Sequence, residues 1–216
     1  DRPPHPVSPV LPLVVLAACI LVLGYIFFGY PWVLRAIVRL RGARPVHAAP
    51  VTPRVTLVVS AFNEARVIQQ KIENALALDY PAGLLDIVVI SDASDDGTDA
   101  SVASFPPDRV SLRRQDERRG KTAGLNREVP TLAGDIVVFS DANAMYRADA
   151  ILNLVRNFAD PQVGCVTGEA RYVEGAGTAA DAGEHAYWGY EMSLKRLETA
   201  VGSMVGGDGA IYAIRK

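Results

Sequence analysis

A long uncharged segment near the amino terminus most limits what this chain can fold into. From Val10 to Leu34 no residue is charged, and most are Leu, Val, Ile, Ala or Phe. About 20 such residues span a bilayer as a helix, so the segment is long enough. Two prolines at its start and the lack of a polar face argue against a helix buried in a soluble core. We therefore predict a transmembrane helix over residues 10–34, preceded by a tail of residues 1–9.

The distribution of positive charge predicts the orientation of that helix. Arginines follow it at positions 35, 39, 41 and 44, whereas Arg2 alone precedes it. Loops rich in Lys and Arg stay in the cytoplasm, and a signal peptide would carry its charges ahead of a shorter apolar core. We expect a protein of the cell (inner) membrane. A basic juxtamembrane linker over residues 35–53 would lead to a cytoplasmic domain over residues 54–216.

Residues 54–216 alternate short apolar runs with amphipathic stretches. Runs starting at Val55, Leu85 and Ile136 are mostly apolar, as in strands that are buried on both faces. Between and after them, residues 65–78 and 148–158 place apolar side chains at helical spacing. This alternation predicts an α/β domain with a doubly wound, mostly parallel sheet.

Acidic side chains follow the predicted strands at the point where each strand ends. Glu64, Asp92, Asp95 and Asp141 occupy such positions, and Lys121 lies in a basic loop. Open α/β sheets bind ligands outside the carboxyl ends of their strands. Carboxylates that hold a divalent cation beside a lysine suit a diphosphate, and no glycine-rich phosphate loop is present. For Asp141 taken alone, an Asx turn that caps the next helix is an equal alternative.

Charge and cysteine content exclude several classes of protein. The formal net charge is -2, which gives no sign of a nucleic-acid partner. Cys19 and Cys165 lie too far apart for a metal-site spacing and form no disulfide framework. Cys165 falls within a predicted strand, and we expect it to be a small buried side chain.

Six short segments follow one another in a characteristic order across residues 55–216. They are VVSAFNE at 58–64, DYP at 79–81, ISDASDDGT at 90–98, GKTAGLN at 120–126, FSDAN at 139–143 and GGDGAIYAIR at 206–215. Together they resemble the N-terminal portion of a family 2 glycosyltransferase with the GT-A nucleotide-sugar-binding fold. The resemblance is to the membrane-bound kind related to cellulose and hyaluronan synthases.

The resemblance implies a substrate role for residues in these segments. Glu64 and Asp92 would contact the base and ribose of a nucleotide-sugar donor, with Asp95 in the same site. Lys121 would meet the diphosphate, and Asn126 would hold its loop in place.

The resemblance also implies a metal site. Asp141 would be the first acid of a D-x-D motif that coordinates Mg²⁺ or Mn²⁺. Asn143 stands where the second acid would be, and its amide oxygen can still ligate a hard cation, although without the charge.

The implied function is that of a membrane-anchored inverting glycosyltransferase. It would transfer a sugar from a nucleotide-diphospho-sugar, most often a UDP-sugar, to a saccharide or lipid-linked acceptor in polysaccharide or glycoconjugate synthesis. The family's catalytic base lies further along the chain, so we expect it beyond Lys216. The aromatic residues 187, 188 and 190 would either face the acceptor or pack against sheet or membrane.

Two alternatives remain open. If the chain is complete, the missing base favours a catalytically silent nucleotide-sugar-binding module. A nucleotidyltransferase would carry a Gly- and Arg-rich loop after its first strand, which residues 61–64 do not supply.

Overall fold

The computed structural model describes residues 10–169, 179–207 and 209–216, with the main chain alone over residues 179–187. Internal contacts divide the chain into two compact units. The first comprises residues 1–45 and 174–206, and the second comprises residues 46–173 and 207–216. Every residue that the sequence assigns to the donor site belongs to the second unit.

The described part of the first unit is mostly helical. Helix α1 covers Val10–Gly24, a π-helical turn covers Tyr25–Gly29, and α2 covers Tyr30–Arg41. Together they make one helix, Val10–Arg41, that is long and apolar enough to cross a membrane. All residues of α1 are exposed. The helix runs past Leu34, so the first residues of the expected linker are helical.

The other helix of this unit, numbered α7 in chain order, covers Ala179–Val201 and contacts the apolar helix. The Tyr30 hydroxyl donates to Glu198 Oε1 at 3.0 Å. The Tyr190 hydroxyl donates to the carbonyls of Ile26 and Phe27, both at 3.2 Å. Tyr190 therefore packs against the apolar helix. The side chain of Tyr187 lies outside the described residues.

The second unit is built on a six-stranded sheet with the strand order β3-β2-β1-β4-β6-β5. The strands are β1 Val55–Ala61, β2 Leu85–Ser91, β3 Val110–Arg114, β4 Ile136–Asp141, β5 Cys165–Thr167 and β6 Ile211–Arg215. The pairs β1–β2, β1–β4 and β2–β3 are parallel. Strand β6 runs antiparallel to β4 and β5. The predicted mostly parallel α/β sheet is confirmed.

Helices cover both faces of this sheet, which explains why its central strands are mostly apolar. The helices are α3 Ile68–Leu76, α4 Thr98–Ala103, α5 Lys121–Glu128 and α6 Ala150–Val155. On one face Leu57 and Val59 pack with residues of α3, α4 and α6. On the other face Val58 and Phe139 pack near Leu125 of α5. Side chains alternate across a strand, so neighbours such as Leu57 and Val58 enter different cores.

One burial expectation is wrong. Cys165 is exposed, because β5 is only three residues long and lies at the edge of the sheet. Partial burial still raises the pKa of its thiol.

Candidate active site

A cleft of about 270 Å³ opens at the carboxyl ends of β1, β2 and β4. From β1 the chain moves outward to β2 and β3, and then returns to the other side of β1 as β4. The cleft thus lies where the strand order reverses, which is the usual ligand position in open α/β sheets. Its lining comprises Ser60, Ala61, Phe62, Glu64, Ile90, Asp92, Gln115, Lys121, Asp141, Ala142 and Asn143.

Asp92 is buried and holds the basic loop in place. Its Oδ1 accepts from Gln115 Nε2 at 2.7 Å and from the Arg119 amide at 2.8 Å. Its Oδ2 accepts from the Gly120 amide at 2.9 Å. Gln115 is itself buried and was missed by the sequence interpretation. Asp92 therefore lies at the cleft, where the sequence predicts a ligand. Its carboxylate holds Arg119 and Gly120, which precede Lys121.

Lys121 and Asp141 form an ion pair across the cleft. Lys121 is the first residue of α5, and its Nζ lies 2.6 Å from Asp141 Oδ1 at the end of β4. Each side chain is 41% exposed. An exposed pair of this kind contributes roughly 0–1 kcal/mol, so a ligand with stronger charge can separate it.

The turn after β1 is fixed by side chains rather than by regular structure. Asn63 has φ of 55°, a conformation that Asn tolerates better than most residues. Its side chain exchanges two hydrogen bonds with Asp95, accepting from the Asp95 amide at 3.0 Å and donating to Asp95 Oδ1 at 2.9 Å. Asp95 is exposed and does not line the cleft. Its contacts are therefore those of a loop-fixing residue.

Glu64 follows in the same turn, and its amide donates to Thr98 Oγ1 at 2.8 Å. Its half-buried carboxylate lines the cleft and makes no hydrogen bond to the described part of the chain. Asp96 caps the neighbouring helix α4, because its Oδ1 accepts from both the hydroxyl and the amide of Thr98. The Thr98 hydroxyl bond lowers the pKa of the Asp96 carboxyl. Since the Glu64 carboxylate makes no hydrogen bond to the described residues, it is available to contact a ligand.

The two predicted asparagines have different positions. Asn143 lies exposed at the cleft, two residues past the end of β4. Asn126 lies on the exposed side of α5, away from the cleft. Within the described chain no hydrogen bond joins Asn126 to the basic loop. That loop is held by Asp92 instead.

A buried lysine behind Asp141 was missed by the sequence interpretation. Lys71 on α3 is fully buried, and its Nζ donates to the Ala144 carbonyl. The ammonium lies 3.6 Å from the centroid of the Tyr146 ring. Helical spacing was the available signal, since Lys71 follows Ile68 by three residues and precedes Ala75 by four, both of which are buried.

The residues present suit a hard divalent cation that is shared with a substrate. The described residues contain no cluster of three His, Cys, Asp or Glu side chains that could enclose a metal alone. Magnesium in particular is commonly held by one or two carboxylates together with substrate phosphates. Asp141 and Asn143 offer such a partial set. Gly209 lies close to this carboxylate, because a Cβ added there would be in van der Waals contact with Asp141 Oδ2 at 3.6 Å. Asp208, next to Gly209, lies outside the described residues.

A sequence profile described as Glycosyltransferase like family 2 matches residues 53–216. The beta-monoglucosyldiacylglycerol synthase of Trichormus variabilis is 28% identical over 156 residues, which are 70% of this chain and 33% of that protein. The poly-beta-1,6-N-acetyl-D-glucosamine synthase of Staphylococcus aureus is 32% identical over 120 residues, 54% of this chain and 28% of that protein. The chain therefore spans about a third of the length of these curated relatives.

Among solved structures, the mannosyltransferase PcManGT of Pyrobaculum calidifontis is similar to this chain with a TM-score of 0.70 and 32% identity. The similarity covers 92% of this chain and 55% of that one. That protein was solved in complex with GDP-Man and Mn²⁺. The comparison supports the GT-A architecture described above.

Proposed function

This chain belongs to the Glycosyltransferase like family 2, and on that premise we propose that it forms the donor-binding part of an inverting glycosyltransferase. The observation that carries the proposal is the cleft where Glu64, Lys121, Asp141 and Asn143 meet at the carboxyl edge of the sheet. Two carboxylates, an amide and a lysine converge there, and this set suits a diphosphate with its cation.

The proposed donor is a nucleotide-diphospho-sugar. A UDP-sugar is the expectation from the resemblance, and a GDP-sugar is the alternative suggested by the complex of the mannosyltransferase. Glu64 and Asp92 line the end of the cleft formed by β1 and β2, where we place the nucleoside. Asp92 acts there through the loop that it holds as well as by lining the cleft.

Asp141 and Asn143 are the proposed ligands of Mg²⁺ or Mn²⁺. Such a cation, when bound, neutralises the charge that develops on the departing diphosphate. Lys121 now pairs with Asp141. We expect its ammonium to move to the diphosphate when the donor binds, because the exposed ion pair is weak and the phosphates carry more charge.

Titration calorimetry tests the donor site. UDP and GDP are titrated into the detergent-solubilised chain with and without Mn²⁺. We expect Mn²⁺ to strengthen the binding of one of them, and Asp141→Ala to weaken this metal-dependent binding by about 10- to 100-fold. Asp135→Ala is the matched control, since it removes the same charge at the opposite end of β4. Metal-dependent binding that survives Asp141→Ala unchanged would refute the metal assignment.

The acceptor and the catalytic base belong to the proposal as well. The relatives are named for a glycolipid and a polysaccharide product, so a lipid-linked or saccharide acceptor is proposed. We place the carboxylate that deprotonates the acceptor hydroxyl beyond Lys216. A longer form of the protein, assayed for sugar transfer alongside this chain, tests that placement. Transfer by this chain alone would contradict it.

We also propose that Val10–Arg41 anchors the protein in the cell membrane with the second unit in the cytoplasm. The exposed aliphatic side chains of α1 support this, because a continuous apolar surface of that length is costly in water. Flotation of the expressed chain with membrane vesicles is the measurement. Replacing Leu16 and Leu21 with Asp should release the protein from the vesicles. Flotation of the double variant equal to that of the wild type would contradict the anchor.

A further inference from the structure

The burial of Lys71 is not explained by the proposed donor site. Its side chain is fully buried on α3, among Ile68, Ile72 and Ala75, which pack into the main core. Burying an amine is costly unless it is paired, and an apolar side chain of similar volume would avoid the cost. The burial lowers the pKa of Lys71 to about 7, although the negative charge of Asp141 opposes this shift. The free-energy cost of burying the Lys71 amine suggests that this residue has a function other than stability.

Within the described residues, the polar contacts of the Lys71 ammonium lie on the segment that follows β4. Its Nζ donates to the carbonyl of Ala144, and the ring of Tyr146 lies 3.6 Å away, centroid to nitrogen. Protonated or neutral, the nitrogen can donate this bond, and the protonated form also gains from the face of the ring. Ala144 is the residue directly after Asn143.

Asn74, one helical turn further along α3, fixes the same segment at a second point. Its Nδ2 donates to the Tyr146 carbonyl and its Oδ1 accepts from the Tyr146 amide, both at 2.8 Å. The Tyr146 hydroxyl in turn donates to the carbonyl of Ala210 at 2.9 Å. Residues 141–146 therefore rest on a polar support that comes from α3.

We propose that Lys71 is a positioning residue that holds residues 141–146 so that Asp141 and Asn143 face the cleft. The expected effect on metal binding rests on the proposed function, whereas the ordering of residues 141–146 rests on the contacts of Lys71. Lys71 touches neither ligand and acts through the Ala144 carbonyl and the Tyr146 ring. Asn74 fixes the far end of the same segment.

The test uses Lys71→Met, which keeps the side-chain volume and removes the hydrogen-bond donor. It measures separately the ordering of residues 141–146 and the effect on metal binding. Hydrogen–deuterium exchange of the metal-free chain in detergent is measured first. The amides of Ala144 and Tyr146 are hydrogen-bonded. We expect them to exchange about tenfold faster or more in the variant, with peptides of β1 and β2 unchanged. Calorimetry with UDP or GDP then gives the affinity with and without Mn²⁺. We expect about a tenfold loss in the metal-dependent part alone.

Ile72→Val is the matched control, since it alters the neighbouring buried position of α3 and keeps the hydrogen bonds of Lys71 and Asn74 to residues 144 and 146. Faster exchange confined to this segment, together with selective loss of metal-dependent binding, would support the proposal. Unchanged exchange in Lys71→Met would overturn it, and so would faster exchange without any change in metal-dependent affinity. If the wild type shows no metal-dependent binding, the proposed function has failed, while the exchange experiment still decides whether Lys71 orders the segment.

Asn74→Ala provides a second variant should Lys71→Met fold poorly. Asn74 is half-buried, so its truncation leaves the core intact. It removes both hydrogen bonds to the Tyr146 backbone. The same local rise in exchange and the same selective loss of affinity are expected, and equal exchange in wild type and variant would count against a support from α3.

Discussion

At the scale of single residues, Asn143 offers a direct way to change the metal site. It is exposed beside Asp141, and its amide supplies an oxygen without a charge. Asn143→Asp adds a carboxylate at the same position. We expect the affinity for Mn²⁺, measured by titration in the presence of the nucleotide, to rise about three- to tenfold, because ligand charge tunes binding of hard cations.

Asn126→Asp is the control for this change. It makes the same alteration of charge on an exposed face of α5, outside the cleft. Asn126 does not line the cleft, and salt screens the interaction between exposed charges over a length of about 10 Å at 0.1 M, so the control should change the metal affinity much less than Asn143→Asp does. A similar rise in both variants would show a long-range effect of net charge and would remove Asn143 from the ligand set.

Some residues at the site could be predicted from the sequence, and others could not. Asp141 and Lys121 could be predicted because each sits in a short segment whose neighbours carry the signal. Gln115 and Lys71 could not, since their partners, Asp92 and Ala144, are distant in sequence. A lysine on the apolar stripe of a helix was visible, but the reason for it appeared only once α3 was packed behind β4.

At the scale of elements, the turn before β4 limits what residue 134 can be. A Cβ on Gly134 would lie 2.6 Å from the Thr56 amide nitrogen and 2.7 Å from its Oγ1. These are backbone and buried atoms of β1, which cannot move aside cheaply. We expect Gly134→Ala to lower the free energy of unfolding by about 1–3 kcal/mol, the usual cost of overpacking. Denaturant unfolding followed by circular dichroism measures it.

Gly83→Ala is the matched control, since a Cβ there meets nothing within 4 Å. At a position that accepts it, alanine reduces the entropy of the unfolded chain, so this variant should be unchanged or more stable by up to about 1 kcal/mol. A loss of stability of equal size in both variants would mean that the close approach of Gly134 to Thr56 is not the cause.

Element type was easier to predict than element ends or strand direction. Residues 65–78 were expected to be helical, whereas α3 covers Ile68–Leu76, because the left-handed Asn63 and the turn after it delay the helix. The antiparallel direction of β6 was not predictable from its short apolar run. It depends on the path that the chain takes after β5, and it places Tyr212 against Phe139 of β4 with ring centroids 4.5 Å apart.

At the scale of the whole molecule, the uncharged run and the predicted donor-site residues fall in different units. The uncharged run belongs to the first unit, and all the predicted donor-site residues belong to the second. The separation of these two features was predictable, because a continuous apolar segment and alternating short elements have opposite patterns. The grouping of residues 174–206 with the first unit was not predicted, since the sequence placed them in one domain with residues 54–173. Lys71 links the site to the stability of the second unit, through the cost of burying its amine.

That cost makes the free energy of unfolding depend on pH. The pKa of Lys71 falls from 10.5 to about 7 on folding, chiefly through burial. Between these values the unfolded chain binds a proton that the folded chain does not, so stability rises with pH by about 1.4 kcal/mol per unit. Below pH 7 both states are protonated, and this dependence ends. Burial raises the pKa of Tyr80 from 10.0 to about 12, which lowers stability with rising pH only above 10.

Lys71→Met should remove the dependence, because methionine does not titrate. We expect the variant to be more stable than the wild type near pH 7 and the difference to shrink steadily toward pH 10. Urea unfolding of both proteins in the same detergent, at about pH 7, 8.5 and 10, measures it. Parallel curves for the two proteins across this window would contradict the lowered pKa. A variant that is globally more stable, yet exchanges faster at residues 141–146, would show that the lysine is kept for the site at the expense of stability.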